Sequence, residues 1–183
     1  MNAAEFSAAE RLRDGRAIEI RALRPTDRDG LLAAFERTGE ESRYRRFFAP
    51  KRTFSEKEID FYLNVDFVGH VALVAVLEEG GRPVIAGGGR YIVSEPGHAE
   101  VAFAVDDPHQ GLGIATRLMR HLVAIARQAG LRELVAEVLP DNAPMLKVFE
   151  RSGLAATTRH AGGIVHVTMP LSRPGPGPNE PAG

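Results

Sequence analysis

The chain has 183 residues, 44% hydrophobic and 26% charged, with a formal net charge of -1 and no cysteine. Those values fit one globular domain, and they exclude disulfides, thiolate metal sites, cysteine nucleophiles and the basic field of a nucleic-acid or anionic-membrane binder. No apolar run approaches the ~18–20 residues of a bilayer span, and an N-terminus carrying Glu5 and Glu10 is no secretory signal, so a cytoplasmic protein is expected.

Residues 1–16 read as a flexible, loosely amphipathic lead-in. Alternation of Ile18, Ile20 and Ala22 predicts a first strand over Ala17 to Leu23. Pro25-Thr26-Asp27 then opens a helix to about Thr38, with Leu31, Leu32 and Phe35 at helical spacing. Glu41 to Phe48 reads as a second short helix and Ser55 to Leu63 as a third, Ser55 and Glu58 forming a capping box. Two β-branched runs, His70 to Leu77 and Val84 to Val93, flank Glu78-Glu79-Gly80-Gly81 as a hairpin does. Glu100 to Val105 is a nearly continuous apolar run, as in a strand covered on both faces.

A turn over Asp106 to Gly113 leads into a long helix. Its apolar face is Ala115, Leu118, Met119, Leu122, Ile125 and Ala126, and Gly130 stands at its end. Glu133 to Leu139 is again a strand, which makes the segment a βαβ unit. Asp141 or Asn142 caps a helix to about Arg151, and two strands near 154–159 and 164–170 close the domain. The last 12 residues, with four prolines and three glycines, read as a disordered tail.

Chemistry concentrates in the turn Gln110-Gly111-Leu112-Gly113-Ile114-Ala115-Thr116. Two glycines let the backbone curl so that several N–H groups converge at a helix N-terminus, which makes an anion site. A dinucleotide fingerprint would want glycine at position 116, where Thr116 stands, and the Gly-Lys-Ser/Thr of a phosphate loop is absent. What fits is Gln-x-x-Gly-x-Ala, on Gln110, Gly113 and Ala115. Here the sequence resembles the GNAT acyltransferases, whose pyrophosphate-binding signature is Arg/Gln-x-x-Gly-x-Gly/Ala between a strand and a long helix. Asn142, Phe149 and Gly153 match that family's Asn…Tyr…Gly helix, and the resemblance is sharpest from Ala99 to Leu154.

The resemblance implies an α/β (α+β) domain over 17–171. A central mixed sheet of about seven strands would splay where the Glu100 and Glu133 strands part. It implies acetyl-CoA as co-substrate, held by Phe103, Ala104 and Val105, by Gln110 through Thr116, and by Asn142 and Phe149. It implies direct attack of an amine on the thioester in a ternary complex. An amine of unperturbed pKa about 10.4 needs a proton acceptor, and backbone N–H groups near Phe103 to Val105 would stabilise the oxyanion. Glu100 is the candidate base, matching the glutamate of bacterial protein-lysine acetyltransferases, its carboxylate at the edge of a desolvated cleft; the alternative is a solvated residue at a strand entrance. Phe149 stands where many relatives have a tyrosine able to protonate the leaving thiolate, which leaves Tyr44 or Tyr91 as substitutes, or no acid at all.

Ser42 to Phe48 resembles a Ser-x-x-Arg-Phe-Phe segment on the acceptor side of those protein acetyltransferases. Its plain alternative is a core stripe of Tyr44, Phe47 and Phe48 with solvated arginines; those arginines, with Lys51 and Arg52, could meet an acidic surface or a 3′-phosphate. Gly87-Gly88-Gly89 inside a strand suggests a bulge or a close backbone approach. The six histidines lack metal-ligand spacing, so no metal is expected; His109 reads as a solvated loop residue or a phosphate contact. The expected acceptor is a primary amine, a protein lysine by the resemblance. Alternatives are a small amine taken in an acidic pocket to which Asp60, Asp66 and Glu95 contribute, or a non-catalytic acyl-CoA sensor. A monomer or dimer without a fused regulatory domain is expected.

Overall fold

His70–Glu79 (β3) is buried along most of its length, and the continuous apolar run has a structural reason: both faces of this strand are covered. A computed structural model describes residues 2–171, so the tail expected from 172 onward lies outside the described residues. β1 (Ser7–Arg11), β2 (Ala17–Ala22), β3, β4 (Arg82–Glu95), β5 (His98–Val105), β6 (Glu133–Val138), β7 (Thr157–Ala161) and β8 (Ile164–Pro170) form one sheet in the order β1-β2-β3-β4-β5-β6-β8-β7. All neighbours are antiparallel except β5 and β6.

Two-residue glycine turns set the registers. Gly80-Gly81 joins β3 to β4 and Gly162-Gly163 joins β7 to β8, all four with positive φ as the favoured hairpin turn requires. On one face lies α4 (Ile114–Gln128), which buries Leu118, Met119, Leu122, Ile125 and Ala126 as its spacing predicts. Each of the larger ones, the leucines, Met119 and Ile125, contributes about 1.5–3 kcal/mol relative to exposure. Ala115, expected on that face, instead borders a cavity described below. On the other face α1 (Arg28–Glu36) and α3 (Glu56–Leu63) pack on a smaller cluster of Leu23, Ala34, Ala72, Val74 and Ile85, and α2 (Glu40–Phe47) lies between them in the chain. α5 (Ala143–Glu150) completes the fold.

Two expectations are corrected. Residues 1–16 are not a loose lead-in, because Ser7–Arg11 pairs with β2 and makes an eighth strand where about seven were expected. Its side chains anchor it as well. Ser7 Oγ donates to Glu19 (2.8 Å), His121 Nε2 lies 2.8 Å from Glu10, Arg120 also bonds Glu10, and Leu12 is buried. The closing strand expected near 154–159 is Thr157–Ala161, shifted toward its Gly-Gly turn.

Candidate active site

β5 and β6 run parallel for only three pairs, His98↔Glu133, Ala99↔Leu134 and Glu100↔Val135. Beyond Glu100 they part. β5 stays bound to β4 as far as Gly87↔Val105, while β6 stays bound to β8. Because backbone N–H groups alternate in direction along a strand, every second residue of Val101–Val105 turns its amide into this gap. The gap opens into a cavity of about 400 Å³, bordered by β5 from Glu100 to Val105, Glu137 and Val138 of β6, the start of α5, and the turn ahead of α4.

That turn is built as a nest. Gly111 (φ 77°) and Gly113 (φ 85°) take the left-handed conformation, and Gly113 is the N-cap of α4 without a side-chain cap. The N–H groups of Gly111 through Thr116 find no intrachain acceptor among the described residues. Unpaired donors at the positive end of a fifteen-residue helix make an anion cradle. Two cations border it that the sequence reading passed over: Arg13 Nη1 donates to Gly111 O (3.2 Å), and Arg117 Nη1 donates to Gly113 O (2.9 Å). Arg117 lies off the apolar stripe of α4 and folds back over the turn, which no spacing rule would find.

The turn rests on a buried network. Asp106, 2% exposed, accepts from Arg37 Nε (2.7 Å) and lies 2.5 Å from His109 Nδ1. His109 Nε2 meets Glu79 at 2.8 Å, and Arg37 Nη2 donates to Ile85 O at 2.8 Å. His109 is therefore a buried structural residue rather than a solvated one, engaged at both ring nitrogens. Gln110 Nε2 reaches Val105 O (3.2 Å), Asp107 Oδ1 (3.1 Å) and Ser42 Oγ (3.2 Å), so it joins the strand end, the turn and α2.

Of the residues singled out in the sequence, one cavity gathers Glu100, Phe103, Ala104, Val105, Gln110, Gly111, Gly113, Ile114, Ala115, Thr116, Asn142 and Phe149. Leu112 is the exception and packs against the main core. Asn142 caps α5 by accepting from Met145 N at 3.4 Å. Phe149 is buried and packs on Phe103 at 6.1 Å between ring centroids. Glu100 is solvent-exposed on the cavity wall, so the desolvation expected for it is absent. Neither Tyr44 nor Tyr91 borders the cavity: Tyr44 is 46% exposed on α2, and Tyr91 lies in the core, where burial pushes its hydroxyl up to about 12. Asp60, Asp66 and Glu95 border neither this cavity nor the smaller one between the sheet and α1–α3, so neither is the acidic pocket they were expected to supply.

α2 keeps Phe47 of the expected stripe turned inward but not Tyr44, and arginines expected in solvent join Phe47 there. Tyr44 points outward, while Arg43, Arg46 and Phe47, at i, i+3 and i+4, face inward. Arg43 lies 4.0 Å over the Phe35 ring and donates to Phe35 O at 2.8 Å. Arg45 pairs with Glu41 (2.7 Å) and reaches Asp141 (3.5 Å) across the mouth of the cavity. Burial lowers the pKa of Arg46, against the opposing pull of Tyr62 and Glu100.

A sheet split between two parallel strands, with a glycine-lined helix start at its mouth, defines an acyl-transferring class of fold. The chain belongs to the acetyltransferase (GNAT) family, whose model matches residues 31–154. An acetyltransferase of Pseudomonas aeruginosa is 35% identical over 126 residues, covering 68% of each chain. The acetyltransferase Pat of Mycolicibacterium smegmatis is 32% identical over 158 residues, 84% of this chain and 46% of that protein, so the chain spans about half of Pat. The crystal structure of the GNAT domain of S. lividans PAT superposes with a TM-score of 0.81 at 35% identity, covering 90% of this chain and 96% of that one. The protein is an acetyltransferase enzyme of this family.

Proposed function

We propose that the protein transfers an acetyl group from acetyl-CoA to a primary amine by direct attack, with Glu100 as general base. One observation carries the reading: the split between β5 and β6 and the unpaired amides of Gly111 through Thr116 open onto the same cavity. The pyrophosphate of the co-substrate suits the amide cradle with Arg13 beside it. The pantetheine arm suits the gap along Phe103 to Val105, bordered by Asn142 and Phe149. The amine nitrogen attacks the thioester carbonyl carbon, a C–N bond forms, and the C–S bond breaks on collapse of the oxyanion. Glu100 takes the ammonium proton beforehand or the N–H proton afterwards. Phe149 has no proton to give, so the departing thiolate, a good leaving group, takes its proton from water.

The resemblance favours a protein lysine as acceptor. A small-molecule amine is the second reading, favoured by a specific observation: a further cavity of about 140 Å³ between the sheet and α1–α3 shares Thr38, Arg46, Ala102 and Ala104 with the cleft. Replacing Glu100 by Gln tests the base. It is expected to lower kcat by about 10²–10⁴-fold while leaving the calorimetric affinity for acetyl-CoA unchanged. An unchanged kcat would remove Glu100 from the mechanism, and loss of acetyl-CoA binding by the native protein would remove the co-substrate assignment.

A further inference from the structure

The second cavity has an unusual composition for a space between a sheet and helices. Its body is apolar and aromatic, with Phe35, Phe47, Phe54 and Ile59 among its walls, yet charged groups border it: Asp106, which is held by Arg37, the side chains of Arg28 and Arg43, and two further guanidinium groups, from Arg46 and Arg90. Neither has a carboxylate within ion-pairing distance among the described residues. Arg90 Nη1 is held by Tyr62 O (3.2 Å) and by the ring nitrogen Nε2 of His70 (2.8 Å), both neutral acceptors, and its guanidinium lies 4.6 Å from the centre of the Tyr62 ring. Burial, with Arg46 as a second cation nearby, lowers Arg90 to about 10. The other arginines of this region are occupied, Arg28 by Glu56 and Arg43 by backbone carbonyls. Two like charges facing one largely apolar cavity, neither with an ion pair of its own and only Glu100 acting on Arg46 from the cleft side, are costly to the fold, and a bound anion would relieve that cost.

The position of Arg46 limits what that anion belongs to. Arg46 borders both cavities, and on the cleft side it faces Glu100 closely enough for the two charges to act on each other. A ligand whose amine lies at Glu100 therefore has its neighbouring atoms at Arg46 and any further apolar body in the second cavity. We propose that the acceptor is a free amino acid with an apolar or aromatic side chain, its carboxylate held by Arg46 and Arg90, its side chain in the 140 Å³ cavity and its α-amine at Glu100. This rests on acetyl transfer in the cleft and names the acceptor of its small-molecule reading. The product is the N-acetyl amino acid together with the free thiol of coenzyme A.

The test is thiol release from acetyl-CoA by the whole protein with each of the twenty L-amino acids. Phenethylamine and L-phenylalaninamide serve as carboxylate-free counterparts, and a lysine-containing peptide and succinyl-CoA as further arms. Apolar or aromatic amino acids are expected to exceed their carboxylate-free counterparts by about tenfold or more in kcat/KM, the scale of a charge-assisted contact. Arg46→Gln is expected to erase that ratio through KM, with acetyl-CoA affinity retained. Arg90→Gln should act likewise, and Arg90→Lys should keep part of the effect. The wild-type comparison needs no variant, so a misfolded Arg90 mutant leaves the test intact. Equal rates for phenylalanine and phenethylamine would overturn the proposal, as would a ratio insensitive to Arg46→Gln. Acetylation of the peptide alone would overturn it while leaving acetyl transfer standing. An Arg46 effect confined to succinyl-CoA would place the carboxylate on the acyl group and overturn it too. Absence of acetyl-CoA binding would instead sink the underlying reading.

Discussion

His70 sits where a charge is least welcome. It is 8% exposed, its Nε2 accepts from Arg90, and Phe61 stacks beside its ring at 5.4 Å. Burial first, and the Arg90 charge second, hold its pKa down at about 4, against the opposing pull of Asp66. An unfolded histidine titrates near 6.5, so between about 6.5 and 4 the unfolded chain binds a proton that the folded protein refuses. Stability from this residue is therefore complete above pH 6.5 and is lost as pH falls through that window, on the order of 3 kcal/mol in total. Urea denaturation of the native protein and His70→Gln at pH 7 and pH 4.5 should show a steeper acid loss in the native protein; parallel losses would remove His70 as the cause. Residues of this kind were not legible in the sequence. Nothing in the spacing of Arg46, His70 and Arg90 says that one helix and two strands bring them to one region, whereas Gln110, Gly113 and Ala115 act through local backbone geometry and could be read directly.

At the scale of elements, the sequence was most informative where one element alone decides the structure. The apolar stripe of α4 from Leu118 on, the capping box of α3 and the Gly80-Gly81 turn are local rules, and each is found where it was read. β1 was missed because Ser7–Arg11 has little strand preference of its own and is ordered by pairing with β2. The face of α2 was misjudged because both of its sides hold arginines and aromatics, and helical spacing does not say which side meets the sheet. The turn ahead of α4 gives a sharp test of the cradle. A Cβ at Gly113 would strain a φ of 85° and lie 2.5 Å from Arg117 Nη1, whereas a Cβ at Gly111 would meet nothing within 4 Å. Gly113→Ala is thus expected to weaken acetyl-CoA binding about tenfold or more, and Gly111→Ala, with left-handed strain alone, to weaken it less. Calorimetric titration of both variants checks the order; equal affinities would mean that the displaced guanidinium has no part in the cradle.

For the whole molecule, the decisive feature is that one sheet is continuous on the β4 side of β5 and split on the β6 side. The split beside Glu100 was foreseeable from the family resemblance, but how closely β4 and α4 pack on the paired side of β5 was not. The Gly87-Gly88-Gly89 run lies there. The register of β3 and β4 shifts between Ala75 and Val76, and past that bulge the glycines lie against β5 without side chains of their own. A Cβ at Gly89 would come within 2.6 Å of the Phe103 ring and 3.2 Å of Leu122. Phe103 in turn packs on Phe149 beside the gap. Gly89→Ala should therefore push Phe103 toward the cleft, costing about 1–3 kcal/mol of stability and lowering acetyl-CoA affinity at the same time. Phe103→Leu removes the clashing ring edge, so the double variant should recover part of both losses, a coupling that independent sites would not give. Denaturation midpoints and acetyl-CoA titrations across the four-member cycle measure it. Additive losses would mean that the glycine run serves β4 alone and that the open side of the sheet is held by other means.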